Sequence, residues 1–204
     1  MKVLSFNARI WTRDTDCKSE NYWKSRMKKM EQMITELNPD VLCFQEFMFP
    51  ATLYVPSNYR KVNPLSIHHH IYVKKGVKTA DNKFLIHMDA ATIKMGGLRV
   101  INVHSHWNQD IIAKNCEQIE ELANKYTQVV SCGDFNNFED AINLPTLTHV
   151  PLENEQDTFI NFTRPTESHG IIDHFYVKGL NNPKARVVTE YGTLSDHFPI
   201  LLEF

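Results

Sequence analysis

The sequence lacks several features that would assign it quickly to a class of protein. Its 204 residues contain no apolar run near the roughly 18 residues that a membrane-spanning helix needs. The opening "MKVLSFNARI" enters a strand-like pattern without the apolar stretch of a secretory signal. There is also no low-complexity tract and no internal repeat. These absences favour a soluble globular protein, most simply a single domain over residues 1–204.

Excess charge of one sign and paired cysteines are also missing. The formal net charge of −2 argues against a strongly basic surface for gripping nucleic acid, although a local basic patch remains compatible with it. The four cysteines, Cys17, Cys43, Cys116 and Cys132, show no paired spacing. We therefore expect reduced thiols and an intracellular location, in the cytoplasm or the nucleus.

Strand-like and helix-like segments are both present. "ENYWKSRMKKMEQMITELNPD" has apolar residues at helical spacing and stops at Asn38-Pro39, and "NQDIIAKNCEQIEELANKY" predicts a second helix. "VLCFQE" and "TQVVSCGDF" predict buried strands, and a hairpin is expected around Gly96-Gly97. Residues 2–8, "HHIYVKKG", "GIIDHFYVKG" and the final "SDHFPILLEF" read as further strands. This alternation predicts a layered α/β domain.

Polar side chains recur where the predicted strands begin or end. They are Asn7, Glu46, His104, Asp134, Asn136, Asp173, Asp196 and His197. Strand ends are where α/β sheets commonly collect ligands, and carboxylates with amides and imidazoles can hold a hard cation and activate water. Glu46 offers an anionic oxygen for Mg²⁺, and Asn7 offers a neutral carbonyl oxygen or a water bridge. In an extended segment Asp134 and Asn136 would point to the same side, and His197 is a natural general base.

Simpler interpretations exist for each residue alone. A single Asp or Asn beside a glycine is usually a turn residue, and only the joint occurrence in chain order favours chemistry. His68–His70 with His104 and His106 suggest zinc, but a solvated strand entrance is the better interpretation of the triple His. The "KSRMKK" cations, Arg26 among them, are expected on a solvated helix face. Core packing is the default for Phe47, Met48, Phe49 and Tyr54; if exposed, they or Trp107 would stack on bases or contact lipid.

Six stretches resemble the ordered motifs of the endonuclease/exonuclease/phosphatase superfamily, which includes deoxyribonuclease I, apurinic endonucleases and tyrosyl-DNA phosphodiesterases. They are "LSFNAR", "PDVLCFQE", "INVHSHW", "SCGDFNN", "GIIDHFYV" and "LSDHFPI", and they run from Asn7 to His197. The resemblance implies a four-layer α/β sandwich, two packed mixed β-sheets flanked by helices. It also implies Mg²⁺-dependent phosphoester hydrolysis, with Mn²⁺ as a possible substitute.

The resemblance also implies roles for individual residues. Glu46 would be the principal metal ligand, with Asn7 beside it and Asp196 on the metal side. Asp134 and Asn136 would orient the attacking water and bind phosphoryl oxygens. His197 would be the base or the group bound to the phosphate, oriented by Asp173, and His104 would stabilise transition-state charge. Independently of the resemblance, Trp107 just past His104 is a candidate substrate contact. Asp134 and His197 remain rival bases.

The substrate is less clear from the sequence than the chemistry. A nucleic acid or a nucleic-acid adduct is the leading expectation for the substrate and partner, although no basic insertion for distorting duplex DNA is evident. "GIIDHF" matches the inositol phosphatases poorly, and a sphingomyelin or other phospholipid phosphodiesterase would need an exposed apolar lip. A catalytically dead binding module would predict the loss of a site residue, and none is lost.

Overall fold

Two six-stranded sheets form the centre of the computed structural model, which describes residues 1–9, 22–63, 68–85, 90–160 and 170–204. The first sheet contains β1 (Lys2–Asn7), β2 (Val41–Gln45), β3 (Tyr59–Lys61), β4 (His70–Lys74), β11 (Lys184–Val187) and β12 (Ile200–Glu203). The second contains β5 (Ala80–Leu85), β6 (Ala90–Met95), β7 (Leu98–His104), β8 (Gln128–Asp134), β9 (Thr148–His149) and β10 (Asp173–Lys178). Their orders are β11-β12-β1-β2-β4-β3 and β5-β6-β7-β8-β10-β9.

Two helices connect the central strands of these sheets. α1 (Trp23–Leu37) ends at Asn38, whose left-handed backbone lets its N–H donate to Ile34 O, and Pro39 prevents continuation. α2 (Gln109–Ala123) begins after Asn108, whose side chain accepts from the backbone N–H groups of residues 110 and 111. Two short 3₁₀ turns, Ala51–Tyr54 and Glu139–Ala141, follow β2 and β8.

Each sheet is built around one parallel pair of strands. β1 and β2 are parallel and connected through α1, with Asn7 opposite Gln45. β7 and β8 are parallel and connected through α2, with His104 opposite Asp134. The carboxyl ends of both pairs therefore carry residues that the sequence singled out.

Antiparallel neighbours bring the remaining site segments to the same end. β12 runs antiparallel to β1, with Ile200 opposite Ser5, so the chain just before β12 lies at the carboxyl end of β1. β10 runs antiparallel to β8, and its first residue, Asp173, lies opposite Asp134. Strand direction thus explains why motifs distant in sequence converge.

Three apolar clusters show the four layers. Between the sheets pack buried residues such as Val3, Val100, Val130 and Phe175. The methionines of α1 pack on the outer face of the first sheet, and Ile112 and Ile119 of α2 pack on the outer face of the second. The predicted four-layer α/β sandwich of two packed mixed sheets flanked by helices is confirmed.

The main predicted elements are confirmed, including both helices and the hairpin at Gly96-Gly97. β3, β9 and β11 were not predicted. They have three, two and four residues and lie at sheet edges, so they carry little periodic signal.

Candidate active site

The centre of the candidate site is a buried amide between two carboxylates from opposite sheets. Asn7 Nδ2 donates to Glu46 Oε1 at 3.2 Å and to Asp134 Oδ2 at 2.9 Å. The Asn7 carbonyl oxygen accepts the Arg9 backbone N–H at 3.1 Å. Asn7 therefore presents its N–H₂ group, and not its carbonyl oxygen, to the two carboxylates and holds them close together.

His104 lies beside the same two carboxylates. Its Nε2 is 3.7 Å from Glu46 Oε1 and 3.6 Å from Asp134 Oδ2. The side chains of His104 and Glu46 keep 23% and 24% of their surface exposed, whereas Asp134 keeps 2%. Glu46 and His104 are thus the accessible members of the group, and Asp134 is the buried one.

A second group consists of His197 between two carboxylates. Its Nδ1 lies 2.8 Å from Asp173 Oδ2 and its Nε2 3.7 Å from Asp134 Oδ2. Burial alone lowers the pKa of His197, but the negative charges of Asp173, Asp134 and Asp196 outweigh it and raise that pKa to about 10. Burial also raises the pKa of Asp173, against the opposing attraction of His197. We place the proton on His197, because a carboxylate faces each ring nitrogen.

Asn136 adopts a conformation that differs from the sequence-based expectation. β8 ends at Asp134, and Asn136 has a left-handed φ of 52°, so the argument from an extended strand is wrong. The turn is held instead by the Asn136 N–H donating to Asp134 Oδ1 at 2.8 Å and by Asn136 Nδ2 donating to Ser105 O at 2.8 Å. Asp134 and Asn136 nevertheless line the same cavity.

Asp196 faces the site with a cation already beside it. Its Oδ2 pairs with Arg9 Nη1 at 2.5 Å, and its Oδ1 accepts the Ser195 hydroxyl at 3.0 Å. A metal ion at this carboxylate would have to share Oδ2 with Arg9.

Arg26 is a contributor that the sequence interpretation missed. It was expected on a solvated face, but it is 4% exposed and its Nη1 donates to Leu194 O at 2.8 Å and to Ala8 O at 3.3 Å. It thereby ties the segment after Asn7 to the segment before Asp196. In the sequence Arg26 lies between Ser25 and Met27 in a stretch rich in lysine, which gives no clear signal of this role.

These residues surround one cavity of about 730 Å³ between the ends of the two sheets. Its lining includes the following residues: Glu46, His68, His69, His104, Ser105, His106, Trp107, Asp134, Asn136, Phe159, Ile172, Asp196 and His197. Asn7 and Asp173 lie just behind this surface, through their bonds to Asp134 and His197. The predicted site residues are therefore brought together around a single opening.

The triple His was placed wrongly as a solvated strand entrance. His69 and His70 are 5% and 3% exposed, and His68 and His69 contribute to the cavity wall. Burial, together with the neighbouring histidines His104, His68 and His70, lowers the pKa of His69 to about 3. His69 is therefore a neutral side chain of the wall.

The aromatic residues near the site divide between core and surface. Phe47 is fully buried and stacks on Phe44, as the default interpretation predicted. Trp107 is 76% exposed at the rim of the cavity, and Phe49 is 67% exposed. Trp107 is thus free to contact a bound molecule.

The donor set fits a hard divalent cation. Glu46 Oε1 and Asp134 Oδ2 converge on a single amide nitrogen, so two anionic oxygens meet at the cavity wall, as Mg²⁺ or Mn²⁺ requires. A different trio, Asp134, Asp173 and His197, offers ligand atoms within 4.8 Å of one another. All three of those residues are buried, whereas Glu46 keeps about a quarter of its side chain exposed, so Glu46 with Asp134 is the more accessible pair.

A family model and the solved structures agree with this architecture. The model of the Endonuclease/Exonuclease/phosphatase family matches residues 17–197. The chain belongs to this family. Membership supports hydrolysis of a phosphoester as its class of activity, and the matched range contains all the residues that line the cavity. No curated protein sequence matches the chain significantly.

Several solved structures share the fold. An endonuclease/exonuclease/phosphatase family protein from Bacteroides thetaiotaomicron is 17% identical, covering 99% of this chain and 93% of the other, with a TM-score of 0.77. Truncated TDP2 from Caenorhabditis elegans is 17% identical, with 98% and 96% covered and a TM-score of 0.74. D. rerio TDP2, complexed with single strand DNA product, is 15% identical, with 99% and 97% covered and a TM-score of 0.74. At identities this low, the structural similarity shows a common fold and nothing more specific.

The helices in the described part of the chain can be compared with the length and apolarity of a membrane-spanning helix. Neither α1 nor α2 nor the short 3₁₀ turns there has the length and apolarity that crossing a bilayer demands.

Proposed function

We propose that this protein is a Mg²⁺-dependent phosphodiesterase acting on nucleic acid or a nucleic-acid adduct, with residues 1–204 as one catalytic domain. The observation that carries the proposal is the convergence of Glu46, Asp134 and His197 from both sheets on one cavity. Family membership supports the phosphoester chemistry. The DNA product bound by the similar D. rerio TDP2 supports the choice of nucleic acid.

Glu46 is the proposed principal ligand of the metal, with Asp134 next to it. The ion, when bound, polarises a phosphoryl oxygen and stabilises charge that develops on it. Asn7 keeps the two carboxylates together through its Nδ2, and Asp196 approaches the same region while paired with Arg9. Mn²⁺ would be accepted by the same oxygen donors.

His197 is proposed to donate a proton or a hydrogen bond to the phosphoryl group. Asp173 holds its Nδ1, which leaves Nε2 directed toward Asp134 and the cavity. Because the geometry suits a charged imidazolium, Asp134 is the better of the two rival bases for the attacking water. Asn136 and His104 are proposed to bind the phosphoryl oxygens and to stabilise their developing charge.

Trp107 is proposed to contact the substrate beside the scissile phosphate. Its exposed ring stands at the rim, where a nucleobase could stack on it.

The described cysteines Cys43, Cys116 and Cys132 are free and buried, which supports our proposal of a reducing compartment, the cytoplasm or the nucleus.

A phospholipid phosphodiesterase is the second candidate. Phe49 and Leu53, 67% and 69% exposed, follow Glu46 closely in the chain and would supply the apolar lip that such an enzyme needs. An inositol phosphatase and a catalytically dead module lack a comparable supporting observation.

Hydrolysis of a substrate panel with Mg²⁺ and with EDTA tests the proposal. The panel contains single-stranded DNA, duplex DNA with an abasic site, RNA, a 5′-tyrosyl oligonucleotide, sphingomyelin vesicles and an inositol polyphosphate. We expect cleavage of a nucleic-acid member that EDTA abolishes and Mg²⁺ restores. Cleavage of sphingomyelin alone would select the second candidate, and cleavage that survives EDTA would refute the metal requirement.

A further inference from the structure

A buried polar layer lies directly beneath the candidate site, between the two sheets. It consists of Ser5, Gln45 and Asn102, each at most 1% exposed. Ser5 and Asn102 precede Asn7 and His104 by two residues, and Gln45 immediately precedes Glu46. Apolar residues such as Val3, Val100 and Val130 pack between the sheets, and this polar layer lies between them and the site.

The side-chain hydrogen bonds of Asn102 run from the second sheet to the first. Its Nδ2 donates to Phe44 O at 2.9 Å and to His70 O at 3.3 Å, and its Oδ1 accepts from Gln45 Nε2 at 2.5 Å. Gln45 also donates to Ser5 Oγ at 3.1 Å. Asn102 is therefore a polar link between the sheets, in a region where hydrogen bonds are strong because water is excluded.

Asn102 contacts the first sheet at the end of the ladder between β2 and β4. Phe44 and His70 form the last residue pair of the β2–β4 ladder. Asn102 binds the carbonyls of both, at the point where β2 turns into Glu46 with its φ of 47° and where the His68–His69 wall enters β4. The same side chain therefore holds the backbone that carries Glu46 and the backbone that follows the histidine wall.

We propose that Asn102 is a positioning residue that sets the distance from Glu46 to Asp134 and His104. These groups belong to opposite sheets, so their separation depends on what fixes the sheets at this end. Gln45 is the secondary member, because its buried Oε1 has no hydrogen-bond partner among the described residues, whereas both polar atoms of the Asn102 amide are engaged. This inference rests on the proposed function.

Asn102→Leu tests the proposal, because leucine has a similar volume and keeps the core filled. We expect Mg²⁺ affinity, measured by calorimetry without substrate, to fall by roughly 10- to 100-fold, as loss of groups that orient metal ligands does. We expect kcat to fall with it while KM changes little. Thr92→Val is the matched control: Thr92 is equally buried in β6 and donates to Val100 O at 3.0 Å. It should lose stability with Mg²⁺ affinity and kcat unchanged.

Three results would overturn the inference. Wild-type Mg²⁺ affinity in folded Asn102→Leu is the first, and an equal loss of affinity in Thr92→Val is the second. If Asn102→Leu does not fold, Gln45→Leu replaces it, and we expect its Mg²⁺ affinity to fall several-fold. Wild-type Mg²⁺ affinity in Gln45→Leu would be the third result that overturns the inference. If the wild-type protein neither binds Mg²⁺ nor cleaves any member of the panel, the proposed function itself is refuted. If the wild-type protein does both and only the variants behave unexpectedly, the role of Asn102 alone is refuted.

Discussion

Glu46 combines an unusual backbone with a central place in the site. Its φ of 47° lies in the left-handed region, which non-glycine residues adopt rarely and at a cost of about 1–2 kcal/mol. The conformation turns the carboxylate off the end of β2 toward Asn7 Nδ2 and His104. Asn136, with a φ of 52°, ends β8 in the same manner. Both sheets thus use a left-handed residue to place a polar side chain over the cavity.

The first residue-scale prediction concerns Glu46→Gln. The amide is isosteric but lacks the negative charge that Mg²⁺ requires, so we expect Mg²⁺-dependent turnover to be abolished while the melting temperature changes little. Turnover and circular-dichroism melting measure the two effects. Glu153→Gln, which alters an exposed glutamate near Lys184, is the control and should keep full activity. Unchanged turnover in Glu46→Gln would remove Glu46 from the metal site.

The second residue-scale prediction concerns His197→Gln. Loss of the imidazolium should lower kcat by ~10²–10⁴, the range for a missing general acid or base. The pH–rate profile should also lose its descending limb on the alkaline side, because the wild-type His197, with a pKa raised to about 10, loses its proton there. His106→Gln, in the same cavity but exposed, should retain the profile. A wild-type rate in His197→Gln would exclude His197 from the mechanism.

At the scale of elements, the junction of β7 and β8 has no room for a side chain before Asp134. A Cβ on Gly133 would lie 1.9 Å from Val103 O, and its φ of 142° disfavours other residues. β7 and β8 are paired there through Val103 and Gly133, one step before His104 and Asp134. The close approach of the strands therefore brings these two site residues next to each other.

Gly133→Ala should consequently reduce the free energy of unfolding by more than about 3 kcal/mol, through a backbone clash that cannot relax locally. Gly192→Ala is the matched control: its φ is 70° but open space surrounds it, so about 1 kcal/mol is expected from backbone strain alone. Urea unfolding of both variants gives the comparison. Equal losses would show that β7 and β8 can separate at this point.

At the scale of the whole molecule, several histidines are buried in the neutral form. Burial lowers the pKa of His174 to about 4, partly opposed by its bond to Asn137 O, and that of His69 to about 3. The unfolded chain takes up protons on these groups near pH 6.5 while the folded protein does not. Their contribution to stability is therefore complete above pH 6.5 and is lost as the pH falls toward 4.

We expect the free energy of unfolding to fall as the pH is lowered from 6.5 to 4, with His174 alone accounting for up to about 3 kcal/mol at pH 4. Urea unfolding across this range measures the slope. His174→Asn should reduce the slope even if it lowers stability at pH 7. A wild-type stability that is constant between pH 6.5 and 4 would contradict the neutral assignment.

Much of this molecule follows from local sequence pattern. The helical spacing of Trp23 to Leu37, the apolar runs of β2 and β8 and the hairpin glycines are local signals, and local signals can be interpreted without knowing the fold. The polar residues at strand ends follow equally, because strand direction places the carboxyl ends of parallel pairs together. Asn7, Glu46, His104 and Asp134 lie at the strand ends where the sequence predicts them, whereas Asp173, expected inside a strand, is the first residue of β10.

By itself, then, the sequence determined the layered α/β architecture and the polar strand-end residues at the cavity, such as Glu46 and Asp134, since both depend on periodicity and on residue type at strand ends. Only the tertiary structure decided that His69, His70 and Arg26 are buried, that Arg9 pairs with Asp196, and that Asn102 links the sheets. Those outcomes depend on partners distant along the chain, Asn102 and Phe44 being 58 residues apart. Burial and long-range hydrogen bonds are set by how two sheets pack, and no local pattern encodes that packing.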